Sequence, residues 1–466
     1  MGNSEDQISD LPDPILVHIL SFLDTEYAVR TSVLSRRWKH LWASVPDLIF
    51  HLNHLPEGRL CRFILFINQR VVLRPSPLPV DKFVLSCRNP HWEYLLPRFN
   101  TWLIQLLSFH HVRHLHIDTP LQDRRRGPLS LPPTLFTSET LVHLKLGGSL
   151  CRVDIYLPPS QEVRFPNLKT FSIRLHKPSD QLARKLFSNT CPSLQSLRID
   201  AFLARGSGRK VNFDICAPQL RKLEIILCRA VKRNGSGGDQ STVVIEAPLL
   251  QYLSISDKLL ARYSFKNSSS ELLRTYIDNG ERLQATATLS HDRNDLLSEL
   301  VRGICNVKCL ELSYRTTRAL QCASNYGPLV FPNLTRLELQ IKVHCSLLLD
   351  LLRRTPLLQF LSISIQDTGF REERDDDCSA AGGDGEVPGC LVSSLEIIQV
   401  DKFMGHKEIV DLVIYFLENS LVLNKLILYC QDLDSSQVEK LQTQLHLVTP
   451  GSKTCRIDFF RLQLAL

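Results

Sequence analysis

One spaced pattern, apolar-x-x-apolar-x-apolar, returns along most of this chain at nearly constant intervals. It is centred on Leu115, Leu144, Phe171, Leu197, Leu223 and Leu253, at steps of 26 to 30 residues, and then on Leu310, Leu337, Leu361, Ile398 and Leu426. Val80-x-x-Phe83-x-Leu85 is an earlier member, and Leu272 to Ile277 fills the double step between Leu253 and Leu310. Within each unit the last two apolar positions alternate, so both point to one side of a short strand and their neighbours to the other. Those neighbours are polar: His114 and His116, His143 and Lys145, Ser172 and Arg174, Arg198 and Asp200, Lys222 and Glu224, Arg336 and Glu338. Such alternation predicts a sheet with one wet face. A turn signal precedes each strand, as in Phe165-Pro166-Asn167, Cys191-Pro192-Ser193 and Phe331-Pro332-Asn333. Proline fixes φ and donates no ladder bond, so it belongs just outside the strand.

A unit of this size cannot bury its own apolar side; stacked copies can. The period near 27 matches leucine-rich repeats, which implies a solenoid with a parallel sheet on its concave side. Gln181–Ser188 and Ser346–Arg354 are expected as convex helices. Ile409–Leu417 is expected as an amphipathic helix near the end, followed by a last strand over Leu421–Tyr429.

The first fifty residues carry a different period. Asp13 is placed to cap a helix with Pro14 at its first position. Ile15, Leu16, Ile19, Leu20 and Leu23 then form a helical stripe. Thr25 and Ser35 are placed to cap two more helices, the second carrying Trp38, Leu41 and Trp42. So short a unit rarely buries enough surface to stand alone, and this many large apolar residues suggest a face for a partner. Leu11-Pro12-Asp13, Ile15-Leu16, Ile19-Leu20-Ser21-Phe22-Leu23, Val33-Leu34-Ser35-Arg36-Arg37-Trp38 and Leu41-Trp42 together resemble an F-box of the plant type. The resemblance implies docking on a Skp-type adaptor, and through it on a cullin-RING assembly. Leu11, Pro12, Ile15, Leu16, Ile19, Val33, Trp38 and Leu41 are the residues expected to make that contact. Pro14 departs from the acidic residue common there.

Near the other end, Cys390 to Glu396, Gly405, Tyr415 to Asn419 and Leu423-x-x-Leu426 resemble the FBD module of plant F-box/leucine-rich-repeat proteins. The expected fold is therefore α/β: a small helical F-box over residues 6–50, an irregular leucine-rich-repeat solenoid with a parallel concave sheet over 78–388, and FBD-like terminal repeats with a cap over 389–460. The implied function is substrate recognition for an SCF-type (Skp-cullin-F-box) ubiquitin ligase, delivering target proteins for ubiquitination and proteasomal degradation. A non-degradative F-box scaffold is one alternative. A repeat protein binding nucleic acid or a polyphosphate is another.

Composition narrows the rest. Of 466 residues 44% are hydrophobic and 22% charged, with a net charge of +7 that is mild for the length and permits nucleic-acid binding without arguing for it. The longest apolar runs are too short for a bilayer span. Fourteen cysteines include no CxxC pair, so neither zinc nor another cofactor is expected. A polar, acidic N-terminus unlike a secretory signal adds to the expectation of cytoplasm or nucleus. Gly-rich phosphate loops, GxSxG and HExxH are absent, so no enzyme is expected. Arg205, Arg209 and Lys210, with Arg229, Lys232 and Arg233 from the next repeat, form a candidate basic rim for a substrate or ligand. His110, His111, His114 and His116 look like a metal tract but lack a carboxylate at ligand spacing, and outward-facing strand positions explain them. The acidic stretch Arg371–Glu386 is expected as a mobile loop.

Overall fold

The computed structural model describes residues 8, 11–52, 57–71, 80–87, 96–118, 122–123, 127–147, 155–203, 210–229, 241–258, 261–266, 272–279, 291–322, 330–341, 347–366 and 386–461. Two compact units divide the chain: residues 1–220 with 230–236, and 221–229 with 237–466.

The first unit opens with helices α1 (Asp13–Ser21), α2 (Thr25–Arg30) and α3 (Trp38–Leu41). It continues through β1 (Asp47–Leu52), α4 (Glu57–Val71), β2 (Lys82–Cys87), α5 (Leu96–Ser108) and β3 (His114–Asp118). Three short strands, β4 (Gln122–Asp123), β5 (Gly127–Ser130) and, beyond α6 (Pro133–Phe136) and β6 (His143–Leu146), β7 (Ile155–Tyr156), make a small sheet of their own. β8 (Thr170–His176), α7 (Asp180–Phe187), β9 (Ser196–Leu203) and β10 (Asn212–Cys216) complete the unit.

β1, β2, β3, β6, β8 and β9 pair in that order, every pair parallel. The register carries the pattern from repeat to repeat: Phe83, Leu115, Leu144, Phe171 and Leu197 are direct neighbours. All five are at most 2% exposed. Behind them Phe165, Phe171, Phe187 and Phe213 follow one another at ring separations of 6.0, 6.2 and 6.1 Å, within the range where aromatic pairs contribute beyond area burial. The turn motifs tie each repeat to the one before: Asn167 Nδ2 donates to Glu139 O at 2.7 Å, and Ser193 Oγ to Pro166 O at 2.8 Å.

The second unit contains β11 (Lys222–Arg229), β12 (Thr242–Glu246), β13 (Tyr252–Asp257), β14 (Arg262–Phe265), β15 (Arg274–Asn279), α8 (His291–Gly303), β16 (Cys309–Leu312) and α9 (Tyr314–Cys322). It ends with β17 (Arg336–Ile341), α10 (Leu347–Arg353), β18 (Phe360–Ile365), α11 (Gly389–Ser393), β19 (Ile397–Phe403), α12 (Lys407–Asn419), β20 (Lys425–Cys430), α13 (Ser435–His446) and β21 (Arg456–Arg461). Its long sheet runs β11-β13-β15-β16-β17-β18-β19-β20-β21, again parallel throughout. Alternation of strand and covering segment around a parallel ladder is the leucine-rich-repeat solution inferred above. Among the described residues no helix is long and apolar enough to cross a membrane.

The repeat hidden at Leu272–Ile277 is β15, and its disguise has a physical basis. Thr275 occupies the central inward position, in register with Leu253 and Leu310. It is 0% exposed and its Oγ1 has no hydrogen-bond partner. Thr275→Val should therefore raise stability by about 1 kcal/mol, since it removes a desolvated hydroxyl without changing volume. The denaturant midpoint of full-length protein checks this, and a fall would contradict it.

Three expectations change. The ladder starts before Val80: Val45-x-x-Leu48-x-Phe50 is a complete pattern unit, and β1 pairs with β2. Leu421–Tyr429 is not the last strand. β20 begins at Lys425, and α13 and β21 follow it, with Leu426 beside Ile457 and Leu428 beside Phe459. Thr454 stands three residues before Ile457, where the pattern wants an apolar residue, and that hides β21. The helix starts also move by a residue. Pro12 and Asp24 are the N-cap residues of α1 and α2, without side-chain caps, while Asp13 and Thr25 bond elsewhere. Gly405 has φ +72° between β19 and α12, where a Cβ would also meet Leu441 Cδ1 at 3.2 Å. A left-handed turn there favours glycine. Of the acidic stretch 371–386, only Glu386 lies within the described residues.

Candidate docking site on the helical segment

α1 has two apolar faces, one buried and one exposed. Leu16 and Leu20 point inward and are 0% exposed, in one cluster with Ala28, Trp38, Leu41, Trp42 and Val45. Ile15 and Ile19, one helix step away, are 45% and 40% exposed. Phe22 and Leu23 extend the outer stripe past the end of the helix, and Tyr27, Val33 and Leu34 add to it from α2 and the 3-10 turn that follows. Val33 is 88% exposed. Seven large apolar side chains in water on a segment of this size exceed what a small core leaves over by chance, and such patches mark interaction surfaces.

Few polar contacts fix the geometry. Arg37 Nε donates to Asp13 Oδ1 at 2.7 Å, and the same guanidinium donates to Leu11 O at 2.5 Å. This fork ties the Leu11-Pro12-Asp13 entry to the approach to α3. Thr25 Oγ1 accepts from Ile49 N at 2.8 Å and so joins α2 to β1. Trp42 stacks on Phe66 of α4, with ring centroids 5.6 Å apart. Surface ion pairs contribute only about 0–1 kcal/mol each, so the Leu16/Leu20/Trp38 core carries most of the stability and Arg37 sets the entry angle.

The eight residues expected to make a partner contact thus fall into two groups. Pro12, Ile15, Ile19 and Val33 are exposed. Leu16, Trp38 and Leu41 are taken up by the segment's own core, and Leu11 packs half-buried against it. The correction follows from helical geometry: residues 15 and 16 lie about 100° apart, so one cannot share the other's face. Phe22, Leu23, Tyr27 and Leu34 are exposed apolar residues outside those eight. A stripe wider than one packing face was the signal that could have found them.

Other candidate sites are distributed differently. Of the basic rim, Arg205, Arg209, Lys232 and Arg233 lie outside the described residues. Lys210 is exposed, and Arg229 closes β11. His110 is buried, its Nε2 3.0 Å from Val71 O, so it serves packing rather than the concave face. Among the described residues no group of three His, Cys, Asp or Glu side chains is arranged to hold a metal ion. Burial pushes the thiols of Cys191 and Cys390 up to about 11, which keeps them protonated and poor nucleophiles.

Comparison with known proteins fits this arrangement. A family model of the F-box domain matches residues 8–50, and one of FBD matches 384–428. A third, described as "FBD-associated F-box protein At5g56370, LRR repeats", matches 99–294. The FBD-associated F-box protein At5g53635 of Arabidopsis thaliana is 30% identical, over 97% of this chain and 100% of its own length. This chain belongs to the F-box/FBD/LRR-repeat family. The F-box/FBD/LRR-repeat protein At5g22660 of the same plant is 28% identical over 99% of this chain and 98% of its own. In F-box/FBD/LRR-repeat terms, α1 to α3 lie within the F-box match, and the repeat match runs from α5 into α8. The FBD match spans α11, β19, α12 and most of β20. Membership suggests an adaptor role of the SCF type and a non-enzymatic one; F-box domains generally bind Skp-type adaptors.

Proposed function

We propose that this protein recruits target proteins to an SCF-type ubiquitin ligase for ubiquitination and degradation, in cytoplasm or nucleus. The exposed apolar face of Ile15, Ile19, Phe22, Leu23, Tyr27, Val33 and Leu34 carries the reading. It is contiguous with helices that already have their own core, so it is available to a partner. That partner would be a Skp-type adaptor, itself attached to a cullin and a RING subunit.

The contribution to chemistry is proximity. A target held on the repeats is kept near a ubiquitin conjugate brought by the ligase, which raises the effective concentration of its lysines. No covalent intermediate on this chain is required.

Capture experiments test the reading in two steps. Full-length protein should retain a purified Skp-type adaptor, and a chain lacking residues 1–50 should not. Proteins co-purified from proteasome-inhibited cells by both chains should accumulate only in cells expressing the shortened one, and their ubiquitination should require the cullin. Failure to retain any Skp-type adaptor would overturn the proposal; retention without cullin-dependent ubiquitination would favour a scaffold.

A further inference from the structure

The outward faces of the two ladders differ in how their charges are satisfied. In the second unit four outward strand cations have an acid beside them: Lys222 with Glu224 at 2.7 Å, Arg274 with Glu311 at 2.9 Å, Arg336 with Glu338 at 2.7 Å and Lys425 with Asp458 at 2.8 Å. In the first unit Arg174 of β8 pairs in the same way with Asp200 of β9, at 2.6 Å, but the outward side chains of β3, β6 and the start of β8 follow another pattern. The register sets His114 beside His143 and Thr170, and His116 beside Lys145 and Ser172. The rings of His114 and His143 stack at 4.3 Å with an interplanar angle of 19°. His143 Nδ1 lies 2.7 Å from Thr170 Oγ1, which orients the imidazole.

Lys169, in the turn before β8, and Lys145, two residues beyond His143, flank that pair. Two residues of strand span about 7 Å. Both lysines are exposed, and neither has an ion-pair partner among the described residues. Of the nearby carboxylates, Asp81 faces Arg113 at 3.7 Å and His114 at 3.8 Å, and Asp118 is buried with its Oδ1 lacking a hydrogen-bond partner. Nε2 of His116, under Lys145, is enclosed and has no hydrogen-bond partner.

We infer that the outward face of β3, β6 and β8 binds an acidic peptide segment, its carboxylates paired with Lys145 and Lys169 across the stacked His114–His143 rings. This deepens the recruiting role above, and only the view that the bound segment belongs to a ligase target rests on that role. Charge complementarity selects the occupant. The register sets Lys145 beside Ser172, three residues beyond Lys169 on the neighbouring strand, about 10 Å along the ladder, so the two lysines can pair with two carboxylates of an extended acidic peptide. They do not form the long track of cations that a nucleic-acid backbone requires.

The histidines link binding to protons. Burial, and then His114, Lys169 and Arg113, lower the proton affinity of His143, with Asp81 opposing. Burial, and then Lys145, lower that of His116 to about 4, with His51 and Lys82 adding and Asp118 opposing. Both groups are thus held towards the neutral form in the free protein. A bound carboxylate stabilises the imidazolium, so binding takes up a proton and tightens as pH falls below the ordinary imidazole value of about 6.5.

The test uses full-length protein without the Skp-type adaptor, and three labelled probes: a peptide of alternating Glu and Ala, its Gln counterpart, and a single-stranded DNA oligonucleotide. Expected are binding of the Glu peptide at least about tenfold tighter than the Gln peptide, and at least about tenfold loss in the Lys145→Glu/Lys169→Glu variant. His143→Gln should flatten the pH dependence, while Lys425→Glu in the other unit leaves affinity unchanged. Equal or absent binding of the two peptides, an unaffected double variant, or oligonucleotide bound more tightly than peptide would each overturn the inference. Peptide binding intact in a protein that retains no Skp-type adaptor would sink the ligase role and leave this surface standing; the reverse outcome removes the surface alone.

Discussion

Replacing Ile15 and Val33 together by aspartate should weaken capture of a Skp-type adaptor by at least about a hundredfold, with the thermal midpoint of the protein unchanged. Both side chains are well exposed and neither belongs to the helical core, so the folded chain accepts a carboxylate at either site at little cost. The docked complex does not. There each carboxylate would be desolvated in an apolar contact without a partner, a penalty of several kcal/mol. A hundredfold corresponds to about 2.7 kcal/mol, well inside that range. Titration calorimetry with purified adaptor reads the change, and circular dichroism checks the fold. Unaltered affinity in a folded variant would remove this face from the docking surface.

Trp38→Ala should act by the opposite route. Trp38 is 6% exposed and packs in one cluster with Leu16, Leu20, Leu41 and Trp42. Emptying that site should destabilise the helical segment by about 3–5 kcal/mol. For three short helices this is a large share of what holds them together. Chemical denaturation followed by tryptophan fluorescence and far-UV circular dichroism measures it. Adaptor capture should fall in proportion to the unfolded fraction and recover in Trp38→Phe, which refills most of the volume. Full stability with capture lost would instead mean that Trp38 touches the partner directly. The two predictions thus separate a residue that forms the docking face from one that props it up.

The repeats were legible because their physics is local and repeated. A three-position apolar code read off Val112-x-x-Leu115-x-Ile117 or Leu334-x-x-Leu337-x-Leu339 places all three residues in the core, at 2% exposure or less. Where the code is degraded the reading weakened, as at Thr275 and Thr454. At β1 it was complete, but Val45 and Leu48 directly follow the helical segment, whose different period runs up to them. The exposed apolar face of the helices was half legible. Periodicity revealed an excess of apolar residues on α1, but 3.6 residues per turn does not say which side a third helix will cover. Trp38 and Leu41 settle that through tertiary packing, and no residue-level rule assigns it. The basic rim rested on sequence adjacency of repeats, and most of its residues lie outside those described. The imidazole and lysine face depends on lateral register, which brings His143 beside His114 from 29 residues away.

The join between the helices and the first strands has a mechanical consequence. Thr25 is hydrogen-bonded to Ile49, Trp42 lies on Phe66, and β1 starts one residue after Pro46. The front of the molecule is therefore a welded bracket and not a leash. Whatever grips α1 also aims β1 to β3, and the angle between them is set by side-chain packing at this seam. Slack inserted between Pro46 and Asp47 would detune that aim while leaving the helices and the first strands each folded.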